Sequence, residues 1–115
     1  MYKIYHNSRC SKSRAGLEYL ESKSNEIEII PYLKAENAFT FESLSEILKK
    51  MNKKPTEIIR THEALYKSDF KDKDFSDAEW IQILVNNPQL IQRPIVVKDN
   101  KAILANPASE LDLLF

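Results

Sequence analysis

The sequence predicts an α/β fold that runs β-α-β, then helices, then β-β-α. Hydrophobic spacing changes from two residues at the start of the chain to three and four in its middle, and to two short apolar runs near its end. Apolar residues make up 43% of 115, enough to bury a core and to exclude wholesale disorder. No Gly/Ser linker, repeat or low-complexity tract divides the chain, so 1–115 reads as a single domain.

Each element follows from local chemistry. Tyr2 to His6 alternates polar and apolar residues and predicts the first strand, and His6 to Ser11 is a polar turn. Ala15, Leu17, Tyr19 and Leu20 predict a helix reaching about Ser24, and Glu26 to Ile30 is a second strand stopped by Pro31. Strand, helix and strand make a βαβ unit, whose first loop lies at the carboxyl edge of the sheet, where α/β folds bind ligands. Phe41, Leu44, Ile47, Leu48 and Met51 mark a helix with Thr40 as N-cap. Pro55 opens a short helix expected to carry Ile58, Ile59 and Arg60. Lys67 to Lys73 reads as a solvated loop, and Ser76-Asp77-Ala78-Glu79 is a capping box ahead of Trp80, Ile81 and Leu84. Pro94 to Val97 and Ala102 to Ala105 form a hairpin around Lys98-Asp99-Asn100-Lys101. Asn106 is then the expected N-cap, and Pro107 the first-turn proline, of a last helix bearing Leu111 and Leu114. The outer segments match the thioredoxin-like layout, with a helical insertion at roughly 38–90 between the second and third strands.

Composition excludes several functions. Lys plus Arg equal Asp plus Glu at 17 each, so no nucleic-acid partner is expected; such a surface needs a cationic excess to release phosphate counterions. No apolar run approaches the roughly 18 residues that span a bilayer, so no membrane association is expected. Met1-Tyr2-Lys3-Ile4-Tyr5 carries no signal-peptide pattern, which together with a single Cys points to the reducing cytoplasm. Cys10, His6 and His62 are too few for a zinc site, so no metal is expected. A chain with one Gly holds no Gly-rich nucleotide loop. The Cys-x5-Arg phosphatase loop fails because Gly16 stands where the Arg is needed.

Cys10 is the one candidate nucleophile. It ends a strand-to-helix loop, where the helix dipole and unpaired N–H groups favour a thiolate, with Arg9, Lys12 and Arg14 adding positive charge. In Cys10-Ser11-Lys12-Ser13 the second Ser places a hydroxyl one turn from the sulfur. Helix N-termini bind tetrahedral oxyanions, and guanidinium forks match them bidentately. Arg60, beside two isoleucines, and Arg93, before Pro94, are therefore candidate anion ligands. His6 is a candidate base or thiolate-orienting group, although a His at a strand end more often satisfies local backbone. Reducing an oxyanion takes two electrons, and a chain without a second Cys must borrow its resolving thiol from outside.

Tyr5-His6-Asn7-Ser8-Arg9-Cys10-Ser11-Lys12-Ser13-Arg14, Ile58-Ile59-Arg60 and Gln92-Arg93-Pro94-Ile95-Val96-Val97 resemble the glutaredoxin-coupled arsenate reductase family. The resemblance extends from residue 2 to about 114. It implies a thioredoxin-like fold with a helical insertion, and a nucleophilic Cys10 that forms a thiol adduct with arsenate. It makes Arg60 and Arg93 the oxyanion ligands, and His6, Asn7, Ser13, Arg14 and Pro94 their support. It also implies glutathione as co-substrate and glutaredoxin as electron-donating partner, with no bound cofactor. The family's third arginine is matched by Asn106, which carries no charge. Loss of one charge-assisted contact costs about 1.5–3 kcal/mol, tenfold or more in affinity. Two further readings follow. One is a thiol enzyme acting on glutathione-linked small molecules. The other is a thiol-sensing transcription regulator that binds RNA polymerase, a class that commonly has Cys where Ser13 stands.

Overall fold

Four short strands make one sheet in the order β2-β1-β3-β4, in a computed structural model that describes residues 1–115. Strand β1 (Tyr2–Tyr5) runs parallel to β2 (Ile27–Ile30), and helix α1 (Ser11–Glu21) supplies the crossover between them. Strand β3 (Ile95–Lys98) pairs antiparallel with β1 on its other side and with β4 (Lys101–Leu104) beyond. The β3–β4 turn needs positive φ at one position. Asp99 takes it at 54°, a conformation that a short polar side chain tolerates.

The mixed thioredoxin-like sheet predicted from the sequence is therefore present, with its register set by burial. Ile4 lies opposite Val96, and the pair forms a buried cluster with Leu20 of α1, Ala105 and Leu111. Ile95, Val96 and Val97 are all buried, so β3 is covered on both faces and reads as a continuous apolar run rather than an alternation. Helix α1 stops before the expected Ser24. The Ser22 N–H bonds back to the carbonyls of Glu18 and Tyr19, and its hydroxyl donates to Tyr19 O at 2.5 Å, so serine chemistry closes the helix early.

The chain divides into two compact units, Met1–Asn37 with Arg93–Phe115, and Ala38–Gln92. In the second unit, helices α2 (Phe41–Met51) and α3 (Asp77–Asn86) each begin with a reciprocal capping box. Thr40 and Ser43 exchange bonds of 2.9 and 3.0 Å, and Ser76 and Glu79 exchange bonds of 2.9 and 3.1 Å. Each satisfies N–H groups that a helix start otherwise leaves unpaired. Leu44, Ile47 and Leu48 of α2 and Trp80, Ile81 and Leu84 of α3 are buried.

Three local expectations are corrected. The turn opened by Pro55 is a 3₁₀ helix that ends at Ile58, so Ile59 and Arg60 are not helical. Ile59 instead pairs antiparallel with Ile91, the Arg60 N–H donates to Leu90 O at 2.7 Å, and the Gln92 N–H donates to Ile58 O at 2.8 Å. A β-branched pair with a partner strand at hand favours the extended form. Lys67 to Lys73 is not wholly a solvated loop, because Tyr66–Phe70 forms a π-helical turn. There the Phe70 ring sits 6.1 Å from Trp80 and 6.3 Å from Phe75, and aromatic packing outweighs the surrounding charge. Finally, Asn106 is not an N-cap: the last helix, Ala108–Leu114, is 3₁₀, and Pro107 occupies its cap position.

Gly16 explains how closely α1 approaches the start of β3. A Cβ built there would lie 2.4 Å from Pro94 Cγ and 3.6 Å from Ala105 Cβ. Alanine would gain about 1 kcal/mol of helix propensity, yet a clash with a rigid ring costs about 1–3 kcal/mol. Gly16→Ala is therefore expected to lower the thermal midpoint by several degrees; a raised midpoint would show that the helix can move away without cost.

Candidate active site

The loop after β1 is stitched together by its own side chains. Asn7 Oδ1 accepts from the Arg9 N–H at 3.1 Å, the Asn7 N–H donates to Ser13 Oγ at 3.2 Å, and the Cys10 N–H donates to Asn7 O at 3.0 Å. Arg14 reaches back from α1, its Nη1 donating to Ser8 O at 2.9 Å. Asn7, Ser13 and Arg14 thus hold the loop to the helix.

This arrangement makes Cys10 the N-cap of α1, with extended φ and ψ of −99° and 125°. The first turn holds no acidic residue, so nothing neutralises the positive end of the helix. Burial alone would push the Cys10 thiol up. The backbone N–H of Ser13, the Arg93 guanidinium and the backbone N–H of Lys12 outweigh that, and the thiol lies below its ordinary value. Ser13 is wholly buried and acts on the sulfur through its amide, while its hydroxyl oxygen accepts from Asn7. The sequence placed the hydroxyl near the sulfur; the amide is the group that bonds it.

Arg93 enters from the other end of the unit, immediately before β3. The Arg93–Pro94 and Asn106–Pro107 peptide bonds are cis, Pro94 is buried, and the Ala105 N–H donates to Pro94 O at 2.9 Å. Strand pairing therefore fixes the backbone that carries Arg93. Its guanidinium favours the Cys10 thiolate as donor and as charge, while its Nε is buried with no acceptor from the protein. A buried donor of this kind normally finds a partner. Set beside the Cys10 thiol, it is a free donor for an oxygen of an oxyanion.

His6 is 8% exposed, and its Nδ1 is buried without a partner. Burial first, and then the Arg14 charge, hold its pKa below the ordinary imidazole value, against the opposing pull of the Ser13 backbone and Glu21. It stays neutral at pH 7, so it supplies no positive charge to the loop. Asn106 is exposed, and its N–H donates to Leu104 O at 2.9 Å. Arg60 belongs to the second unit, where its guanidinium is paired with Glu63 and bonds to Gln89 O at 3.3 Å and His62 Nε2 at 3.1 Å. Sequence reading passed over Glu63 and weighed His62 only as a metal ligand. The signal was present in Arg60-x-x-Glu63, an opposite-charge pair three residues apart. The residues that the structure brings together are Cys10, Ser13 and Arg93. No helix is long and apolar enough to cross a membrane.

With Arg93 removed, the thiol loses the cation that lowers its pKa while burial remains. The midpoint of Cys10 alkylation against pH is expected to move upward in Arg93→Gln, with the reaction at pH 7 slowed several-fold. An unmoved midpoint would mean that the helix amides alone hold the thiolate.

The sequence model of the ArsC family matches residues 5–112. The Escherichia coli protein YfgD is 41% identical over 111 residues, which cover 95% of this chain and 92% of that protein. An arsenate reductase of Haemophilus influenzae is 37% identical over 106 residues, 90% of each. Among solved structures, an arsenate reductase from Vibrio cholerae superposes with a TM-score of 0.90 at 31% identity, covering 99% of this chain and 97% of that one. A cysteine of lowered pKa at a helix start, an arginine before the third strand and a match along nearly the whole chain agree, and the chain belongs to the ArsC family of arsenate reductases.

Proposed function

We propose that this protein reduces arsenate, or a closely related oxyanion, with Cys10 as nucleophile and with glutathione and glutaredoxin as electron donors in the cytoplasm. The observation that carries the reading is the Arg93 guanidinium set on a Cys10 thiol of lowered pKa, with a buried Nε–H left over for an acceptor. Arsenate supplies oxygen acceptors for Arg93 and an electrophilic arsenic for the sulfur. The role of Arg60 as a second oxyanion ligand rests on the family resemblance.

The chemistry balances with one protein thiol. Cys10 Sγ attacks arsenic(V), forming an S–As bond while one oxygen leaves as water after protonation. A glutathione thiolate then attacks Sγ, the S–As pair departs with arsenic as arsenic(III), and a Cys10–glutathione disulfide forms. A second external thiol, on glutaredoxin, reduces that disulfide and restores Cys10. Arsenic gains two electrons, and two external thiols are oxidised. Arg93 offsets the negative charge that gathers as thiolate and oxyanion approach, where a fixed cation is worth most because no solvent need reorganise.

Cys10→Ser is expected to keep its helical circular dichroism and to lose arsenite production entirely when arsenate, glutathione and glutaredoxin are supplied. Arsenite formed by that variant would remove Cys10 from the role of nucleophile. In the parent protein, arsenate is expected to slow Cys10 alkylation in proportion to its occupancy.

Asn106 favours a second reading, in which the thiol acts on glutathione-linked small molecules, because an uncharged residue stands where the family has its third arginine. On the arsenate reading, Asn106→Arg regains a charge-assisted contact and lowers KM for arsenate by about tenfold. Steady-state rates with arsenate and with a glutathione mixed disulfide, measured on parent and variant, separate the two. Faster disulfide reduction in the parent, with no gain for arsenate in the variant, would favour the second.

A further inference from the structure

We propose that Glu63 is the positioning residue of Arg60, holding its guanidinium ordered before an oxyanion arrives; the inference rests on reading Arg60 as an anion ligand. Backbone geometry fixes where the side chain starts. Ile59 is bridged to Ile91, and the Arg60 N–H is bonded to Leu90 O, so the Cα has little freedom. Three contacts then fix where it ends. Nη1 is paired with the Glu63 carboxylate and bonds to Gln89 O, and Nη2 lies 3.1 Å from His62 Nε2. They engage three of the five guanidinium N–H groups and leave the Nε–H and one Nη2–H as the fork for a ligand.

The pair is not an ordinary surface contact. The chain has 17 Lys and Arg side chains, yet only two ion pairs form. Lys53–Glu57 is 43% and 49% exposed, while Arg60–Glu63 is 19% and 29% exposed. A long flexible cation loses rotamer freedom whenever it grips a ligand, and a cation already held has less to lose. Glu63 lowers that cost for Arg60 by restraining it in the free protein. Both side chains keep some contact with solvent and lie three residues apart, so losing the pair costs global stability less than a fully buried pair would and acts mainly on binding.

The test uses the whole chain, arsenate as probe and protection of Cys10 from alkylation as readout, with each variant's unprotected rate as its own reference. Glu63→Ala is expected to raise the arsenate concentration giving half-protection roughly 3- to 10-fold, with the thermal midpoint close to that of the parent. Arg60→Ala weakens protection too, and Arg60→Ala/Glu63→Ala is expected to be no weaker than Arg60→Ala, because Glu63 acts only through Arg60. Glu63→Gln removes the charge but keeps an acceptor oxygen; it carries the same test, with a smaller rise, if the alanine variant does not fold. Protection in Glu63→Ala as good as the parent's or better would overturn the proposal, as would a double variant weaker than Arg60→Ala by the full Glu63 factor. Arsenate that protects the parent and Arg60→Ala equally would instead remove Arg60 as a ligand, and the role of Glu63 with it. Absence of protection in the parent would bring down the arsenate reading itself.

Discussion

The pull of the Arg93 guanidinium on the Cys10 sulfur is the interaction on which the candidate site depends. A thiol that burial alone would keep protonated is instead drawn toward the thiolate, and the groups responsible come from opposite ends of the sequence. The amides of Lys12 and Ser13 are provided by the start of α1, and the cation by the residue before β3. Neither source alone explains the balance. A helix start gives direction but only a fractional charge, and a lone arginine gives charge without direction.

That meeting requires α1 and the start of β3 to lie very close. Gly16 allows it, since a side chain there would enter the Pro94 ring. Pro94 in turn is tied through its carbonyl to the Ala105 N–H, and Ala105 belongs to the cluster of Ile4, Leu20, Val96 and Leu111. Core packing in this unit thus reaches the site through one glycine and one proline. The same close approach spares the sulfur a search for its partner, because both backbones are fixed by strand and helix bonds before any substrate binds.

Much of this was legible in the sequence because it is local. The spacing of apolar residues identifies β1 and α2, an unbroken apolar run identifies β3, and the capping boxes at Thr40 and Ser76 mark their helices because a cap bonds within four residues of itself. The Cys10 loop could be recognised from spacing alone, as a polar turn between a strand and a helix. What escaped is non-local. That Ile59 leaves the helix to pair with Ile91 depends on a partner 32 positions away, which no window near Pro55 contains. The π turn at Tyr66–Phe70 likewise depends on Trp80 and Phe75, which hold Phe70 against the pull of its charged neighbours. Within the site, side-chain chemistry drew attention to the Ser13 hydroxyl, whereas its amide is what meets the sulfur, and every residue but proline has one.

The two arginines are not equivalent cations, and on the proposed reading this bears on what the protein can select. Arg93 is balanced by no ion-paired carboxylate, so its charge is available to a thiolate and an oxyanion together. Arg60 already shares its charge with Glu63, which makes it a directional donor more than a source of field. Counting guanidinium groups therefore overstates the attraction for an anion, and Asn106 adds no charge of its own. Less attraction from a distance leaves more of the selection to geometry at close range, namely a fork that must find oxygens and a sulfur that must find an electrophile. Only an anion meeting both demands gains from the lowered thiol pKa; one that merely satisfies the forks would hold the thiolate in place without reacting.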